Sequence, residues 1–175
     1  MGVGKTSVGR ALAERLNLPF QDLDDRIVER ERRSIAEIFR DSGERAFRSA
    51  EHAALRQVIE ASRDGTGTVI ALGGGAFAQK RNARLLRDAA VVFLDASAEE
   101  LWSRCVRQAA ETGTERPLLQ SMNQFRKLYE ARRRSYLQAA VTIPTSGRAV
   151  EAIAREIAEW LAPHTANRRA KGESE

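Results

Sequence analysis

Two short apolar runs constrain the fold of this chain more than any other feature of its sequence. Residues 69–72 (VIAL) and 91–94 (VVFL) are apolar at every position and do not alternate with polar side chains. A strand with this pattern is covered on both faces, which is typical of a parallel sheet enclosed by helices. Two further candidate strands lie within 18–24 and 139–147. The sequence therefore predicts an α/β fold.

Helical patterns lie between these runs. Residues 9–16 and 45–62 each carry apolar side chains along one helical face. The serine–x–x–glutamate patterns that begin at Ser34 and Ser97 are typical of capping boxes at the start of a helix. Alternating strands and helices indicate βαβ units with right-handed crossovers, and hence a parallel sheet.

The composition limits the class of protein. A chain of 175 residues, 42% of them hydrophobic, suffices for one globular domain. The net charge is +5, but the basic residues alternate with acidic ones, so we expect no nucleic-acid binding despite the basic run 132–134. We also expect no membrane span, a monomer and a cytoplasmic location, where the single Cys105 would be a buried packing residue.

The sequence Gly2-Val3-Gly4-Lys5-Thr6 matches the second half of a phosphate-binding loop. The two glycines allow backbone N–H groups to turn towards phosphate oxygens, and the helix that follows adds the positive end of its dipole. Lys5 would neutralise the β- and γ-phosphates of a nucleotide, and the Thr6 hydroxyl would bind Mg²⁺. The alternative is an ordinary glycine-rich turn.

The first glycine of that loop, and the strand before it, would precede Met1. Such a strand is usually central in the sheet. Losing about five buried apolar side chains, at about 1.5–3 kcal/mol each, would remove an amount comparable with the whole stability of a domain. We therefore expect the natural protein to begin upstream of Met1.

Two acidic residues follow the first candidate strand. Asp22 and Asp24 are two positions apart, which on a strand places both carboxylates on one face at the carboxyl end of the sheet. One could act near Mg²⁺ and the other on the hydroxyl that attacks a γ-phosphate. The alternative is that Asp24 or Asp25 caps the next helix.

Two later motifs add candidate binding groups. A strand ends in three glycines, Gly73, Gly74 and Gly75, where the missing side chains allow a small substrate to approach the backbone. The alternative, a tight turn, would explain one or two glycines more easily than three. Arg116 lies at the base of a polar segment that reads as a mobile lid at about 108–120, or as an ordinary surface loop.

Together these motifs resemble the shikimate kinase family. The resemblance rests on GVGKT, QDLDD, the FR of ERAFRSAE, ALGGGAF, ERPLL and the Arg…Tyr of ARRRSY, in that order. It implies a three-layer P-loop fold with a parallel sheet of order 2-3-1-4-5, of which strand 1 is absent here, and a lid. It covers a single kinase domain at 1–162 and leaves a polar tail at 163–175.

The resemblance also implies the residues of the site. The nucleotide would be bound by Gly2, Val3, Gly4, Lys5, Thr6, Ser7, Arg104 and Arg116. Mg²⁺ would be held by Thr6 and, through water, by Asp22. Shikimate would be bound by Asp24, Arg48, Gly73, Gly74, Gly75 and Arg132. The catalytic residues would be Lys5, Asp24 and Arg116.

Two of these arginines have alternatives. Arg48 could simply pair with Glu44 or Glu51 on its own helix. Arg132 is followed by two more arginines, and its spacing to Tyr136 favours it as the substrate ligand. Planar guanidinium groups suit a carboxylate better than ammonium groups do.

The function implied is ATP-dependent phosphorylation of the 3-hydroxyl of shikimate, in aromatic amino-acid biosynthesis. One alternative is another small-molecule P-loop kinase, such as a gluconate kinase. Others are a non-catalytic binding module on the same scaffold and a shortened, inactive form.

Overall fold

The structure is a computed structural model that describes residues 2–62, 67–112 and 121–172. Its four strands are β1 (Phe20–Asp22), β2 (Val69–Ala71), β3 (Val92–Asp95) and β4 (Val141–Pro144). Its helices are α1 (Lys5–Leu16), α2 (Leu23–Glu31), α3 (Ile35–Ala61), α4 (Lys80–Leu85), α5 (Ala98–Thr112), α6 (Met122–Tyr136) and α7 (Val150–Gly172). The predicted α/β class is confirmed. Three strands lie within their predicted runs, and β3 extends one residue beyond the run 91–94.

The described strands pair in parallel as two separate two-stranded sheets. β1 pairs with β2, with Asp22 opposite Ala71, and β3 pairs with β4, with Asp95 opposite Pro144. In the family's own numbering, whose sheet order is 2-3-1-4-5, β1 and β2 correspond to strands 2 and 3, and β3 and β4 to strands 4 and 5. The family's first strand lies between these two pairs. All four carboxyl ends therefore lead into the loops where α/β proteins bind ligands.

One apolar cluster joins the two sheets. Val8 and Leu12 of α1 pack with Ile153 and Ile157 of α7, and side chains from β2, β3 and β4 pack against the same cluster. The start of α1, which carries the glycine loop, is thereby fixed next to the strands.

The two predicted capping boxes differ. At Ser34 the box is complete: its hydroxyl accepts from the Glu37 N–H at 3.2 Å, and the Glu37 carboxylate accepts from the Ser34 N–H at 2.7 Å. Ser97 accepts from the Glu100 N–H at 3.1 Å, but the Glu100 carboxylate bonds to Arg104 and Ser146 instead. The Ser97 pattern is therefore half a capping box.

Two helices depart from the simplest expectation. α3 is kinked at Gly43 (φ 75°), and its second part matches the predicted helix at 45–62 except that it ends at Ala61, with Ser62 as the C-cap. α7 continues to Gly172, into the segment predicted as a polar tail. Among the described residues, no helix is long and apolar enough to cross a membrane.

Candidate active site

The glycine loop leads directly into α1. Gly2 (φ 66°) and Gly4 (φ 85°) are both left-handed, which side chains disfavour, and Gly4 accepts from the Val8 N–H at 2.9 Å as α1 begins. A Cβ at Gly2 would lie 2.7 Å from the Sγ of Cys105, which is fully buried in α5. Cys105 is thus a packing residue beneath the loop, as predicted.

Thr6 and Asp22 meet at the carboxyl end of β1. The Thr6 hydroxyl donates to Asp22 Oδ2 at 2.7 Å, and Asp22 Oδ1 accepts from the Asp24 N–H at 3.0 Å. Asp22 is therefore the N-cap of α2, so the alternative in which Asp24 or Asp25 caps this helix is wrong.

The predicted strand geometry of the two acids was also wrong. β1 ends at Asp22, and Asp24 lies in the first turn of α2. The shared strand face assumed from their spacing does not exist, because the chain turns into a helix between them. They still act on each other: the charge of Asp22 contributes to the electrostatic environment of Asp24.

Burial raises the pKa of Asp24, while the nearby ammonium of Lys5 opposes the shift and Asp22 and Asp25 add to it. The carboxylate lies against the glycine loop after β2, since a Cβ at Gly73 would be 2.6 Å from Asp24 Oδ1. Asp24 thus joins the Lys5 end of the site to the triple glycine.

The three consecutive glycines each adjoin a different candidate side chain. Gly73 lies against Asp24, and a Cβ at Gly75 would be 2.7 Å from Arg48 Nη1. Between them, the carbonyl oxygen of Gly74 accepts from Arg132 Nη1 at 3.0 Å. The structure therefore brings Asp24, Arg48 and Arg132 together around one loop.

Arg48 makes both ion pairs that the sequence offered as alternatives. Its Nη1 donates to both oxygens of Glu51, each at 3.1 Å, and its Nη2 donates to Glu44 at 3.1 Å. Glu51 is only 1% exposed, and burial raises its pKa although Arg48 opposes the shift. The helical pairing and the position beside Gly75 are therefore compatible.

In the sequence, Glu51 stands out only as a possible ion-pair partner of Arg48. It lies on the buried face of α3 with Phe47, Ala50, Ala54 and Leu55. A carboxylate within an apolar stripe of a helix is the sequence pattern that could have identified Glu51, because a buried charge requires a partner.

The basic run on α6 divides between two directions. Arg132 faces Gly74, whereas Arg133 Nη2 donates to Asp95 Oδ2 at 2.8 Å. The Tyr136 hydroxyl also donates to the Gly74 carbonyl, and burial raises the Tyr136 pKa. Arg132 is thus the arginine of this run that lies beside the glycine loop at 73–75.

Asn82 was not found from the sequence. It is fully buried; its Nδ2 donates to the Ala76 carbonyl at 3.1 Å, and its Oδ1 lies 2.8 Å from His52 Nδ1. Asn82 is four positions from the buried Leu86 and so lies on the apolar face of α4. A polar amide on an apolar helix face is the sequence pattern that could have identified it. It ties the segment after the glycines to α3.

A second concave region lies beside α5. A cavity of about 320 Å³ is lined by Glu100, Ser103, Arg104, Arg107, Gly147 and Arg148. It includes Arg104, predicted to contact the nucleotide, although Arg104 is paired with Glu100. Arg107 and Arg148, which the sequence did not single out, add positive charge. Arg116 and the part of the predicted lid at 113–120 lie outside the described residues.

The donor set fits magnesium brought with a nucleotide. Thr6 and Asp22 supply hydroxyl and carboxylate oxygens, which Mg²⁺ prefers, next to the glycine loop. Among the residues that the structure describes, no group of three or more His, Cys, Asp or Glu could hold a metal alone. Phosphate oxygens and water would have to complete the coordination.

A glycine loop before a helix, with an acid at the end of the neighbouring parallel strand, defines a P-loop protein of the α/β class. The shikimate kinase family model matches residues 1–162, and the chain belongs to that family.

Similar proteins agree with this assignment. The shikimate kinase of Geobacter sulfurreducens is 44% identical over 94% of this chain and 88% of its own. That of Thermus thermophilus is 41% identical over 97% and 90%. Among solved structures, shikimate kinase from Acinetobacter baumannii in complex with shikimate is 32% identical, with a TM-score of 0.82 over 94% of this chain and 89% of that one.

Proposed function

We propose that this protein transfers the γ-phosphoryl group of ATP to the 3-hydroxyl of shikimate. The observation that carries the proposal is the convergence of Asp24, Arg48 and Arg132 on three consecutive glycines. One acid for a hydroxyl and two guanidinium groups for a carboxylate match a carboxylated ring alcohol. Family membership and the Acinetobacter relative, solved with shikimate bound, support the same substrate.

The nucleotide would lie over the N-terminus of α1. Backbone N–H groups of Gly2, Val3 and Gly4, with those of Lys5, Thr6 and Ser7, would surround its phosphates, and the Lys5 ammonium would offset their charge. Arg104 would contact the nucleotide from the 320 Å³ cavity, and Arg116 from the lid.

Magnesium would be held by the Thr6 hydroxyl and, through water, by Asp22. The 2.7 Å hydrogen bond between their side chains supports a shared site. When bound, the metal neutralises charge that develops on the phosphate oxygens.

Arg48 and Arg132 would bind the carboxylate of shikimate and so fix the ring. Asp24 would accept a hydrogen bond from the 3-hydroxyl and take its proton as the oxygen–phosphorus bond forms and the bond to ADP breaks. The raised pKa of Asp24 strengthens it as a proton acceptor. Because the transition state is loose, holding the hydroxyl in line contributes more than strong base catalysis.

A coupled ADP-release assay against several hydroxy acids tests the proposal. We expect ADP formation with shikimate and none above the ATP-only rate with gluconate. Turnover of gluconate in place of shikimate would establish the alternative kinase activity. A salt-dependent shift with oligonucleotides and no ADP formation would instead indicate a binding module. The cytoplasmic location and the monomeric state stay predictions.

A further inference from the structure

Helix α6 presents two neighbouring stripes of side chains to the body of the protein. Arg132 and Tyr136, four positions apart, both donate to the Gly74 carbonyl. Tyr129 and Arg133, also four positions apart, both donate to the Asp95 carboxylate, at 2.6 and 2.8 Å. The Arg132 and Tyr136 stripe faces the glycine loop at 73–75, and the Tyr129 and Arg133 stripe binds the end of β3.

Strand β3 is built to hold this helix. Phe93 and Asp95 are two positions apart and so lie on one face of the strand. The centroids of the Phe93 and Tyr136 rings are 5.2 Å apart. The Asp95 carboxylate accepts hydrogen bonds from Tyr129 and Arg133. The backbone carbonyl of Asp95 also accepts from the Thr145 N–H at 2.8 Å, which fixes Asp95 itself.

The Asp95 carboxylate binds two side chains of α6 and so ties the helix to the end of β3. The bond to Arg133 joins opposite charges. The Tyr129 hydroxyl, whose single proton is shared, also lies 2.9 Å from the Ala96 carbonyl oxygen. Burial, reinforced by the hydrogen bond to Asp95, raises the pKa of Tyr129 to about 12, so its hydroxyl remains a donor at neutral pH.

We propose that Asp95 is a positioning residue that holds Arg133 and Tyr129 and thereby directs Arg132 to the carboxylate of the acceptor. Adjacent helical residues point about 100° apart, so a rotation of α6 about its axis would turn Arg132 away from the glycine loop at 73–75 and Arg133 towards it. Asp95 opposes that rotation by engaging Arg133. The inference rests on the proposed role of Arg132 in binding shikimate.

The test compares Asp95→Ala with Glu99→Gln. Glu99 of α5 binds Arg126 of α6 at 2.5 Å in a more exposed ion pair, so its variant is the control. We expect Asp95→Ala to raise the KM for shikimate roughly tenfold to a hundredfold, as small displacements of binding groups do, with the KM for ATP unchanged. Glu99→Gln should leave both constants unchanged.

A double-mutant cycle separates positioning from general loosening. On an Arg132→Ala background, Asp95→Ala should raise the shikimate KM no further, because the residue that it positions is gone. Additive effects, or an equal rise in the KM for ATP, would overturn the inference. If Asp95→Ala does not fold, the double variant Tyr129→Phe, Arg133→Gln removes the same two bonds and must give the same rise.

The two proposals fail in different ways. If Arg132→Ala leaves the shikimate KM unchanged, the role of Arg132 in the proposed function is wrong. If Arg132→Ala raises it but Asp95→Ala behaves like Glu99→Gln, only the positioning role of Asp95 is wrong.

Discussion

Arg48 donates from a single nitrogen to both carboxylate oxygens of Glu51, each at 3.1 Å. The Arg48 side chain is 13% exposed and that of Glu51 is 1% exposed, so the pair is largely withdrawn from water. Glu51 thus holds the guanidinium beside Gly75, where Arg48 faces the proposed substrate site.

Replacing Arg48 should affect binding and folding separately. Arg48→Ala should raise the KM for shikimate about 10- to 150-fold, the equivalent of about 1.5–3 kcal/mol for a lost charged hydrogen bond, with little change in the KM for ATP. It should also destabilise the fold, because Glu51 becomes a buried charge without its partner. The variant Arg48→Ala, Glu51→Gln should recover part of the Tm but none of the KM. An equal loss of affinity for ATP would mark Arg48 as structural.

Glu51 should give the fold a specific pH dependence. Its raised pKa means that its stabilising contribution is present below the ordinary value of 4.5 and is lost as pH rises through the folded-state pKa. Above pH 4.5 the free energy of unfolding should therefore decline more steeply in the wild type than in Glu51→Gln, as urea denaturation at several pH values would measure. Glu44→Gln removes the exposed partner of Arg48 and should keep the wild-type decline of the unfolding free energy with pH. Parallel curves for Glu51→Gln and the wild type would contradict the expectation.

Asp24 is expected to act on turnover. Asp24→Asn should lower kcat by about 10²- to 10⁴-fold, since it removes the proton acceptor, while the Tm stays the same or rises because a partly buried charge is lost. Steady-state kinetics and thermal melting check both parts. Asp25→Asn, in the same turn but exposed, is the control: it removes a smaller contribution to the raised Asp24 pKa and should change kcat far less. Near-wild-type turnover in Asp24→Asn would remove it from the mechanism.

The outer glycines should give different kinetic effects. A Cβ at Gly73 would lie 2.6 Å from Asp24 Oδ1, and one at Gly75 would lie 2.7 Å from Arg48 Nη1. Gly73→Ala should therefore mainly lower kcat, and Gly75→Ala should mainly raise the KM for shikimate. Neither glycine has a positive φ, so the Tm should fall only slightly. The same kinetic change in both variants would argue against this division.

Asn82 should matter for stability. Asn82→Ala removes the partner of the buried Ala76 carbonyl, at about 1–3 kcal/mol for a buried group left unpaired, and that of the partly buried His52 Nδ1. A fall in Tm of about 2–4 °C for each kcal/mol is expected in a chain of this length. Arg84→Ala, on the exposed side of the same helix, should change it little. Equal melting of the two variants would show that the Asn82 bonds contribute nothing.

Much of this architecture is local and could be predicted. The positions of the strands and the Ser34 capping box follow from patterns within a few residues, because periodicity and capping act over one or two turns. The turn geometry of Gly2 and Gly4 follows in the same way. Most strand residues are only partly buried, which the apolar runs did not predict. Local inference failed where the chain changes element, as between Asp22 and Asp24, since helix capping overrode the two-residue repeat of a strand.

The sequence alone determined which chemical groups the protein carries: a phosphate-binding glycine loop, paired acids, three glycines in a row and a run of arginines. Only the tertiary structure decided which of them meet. Arg132 reaches Gly74 across 58 positions of sequence, and Asp95 takes Arg133 across 38. The physical reason is that these contacts depend on how α6 packs against the carboxyl ends of strands distant in the chain, and no local pattern encodes that packing.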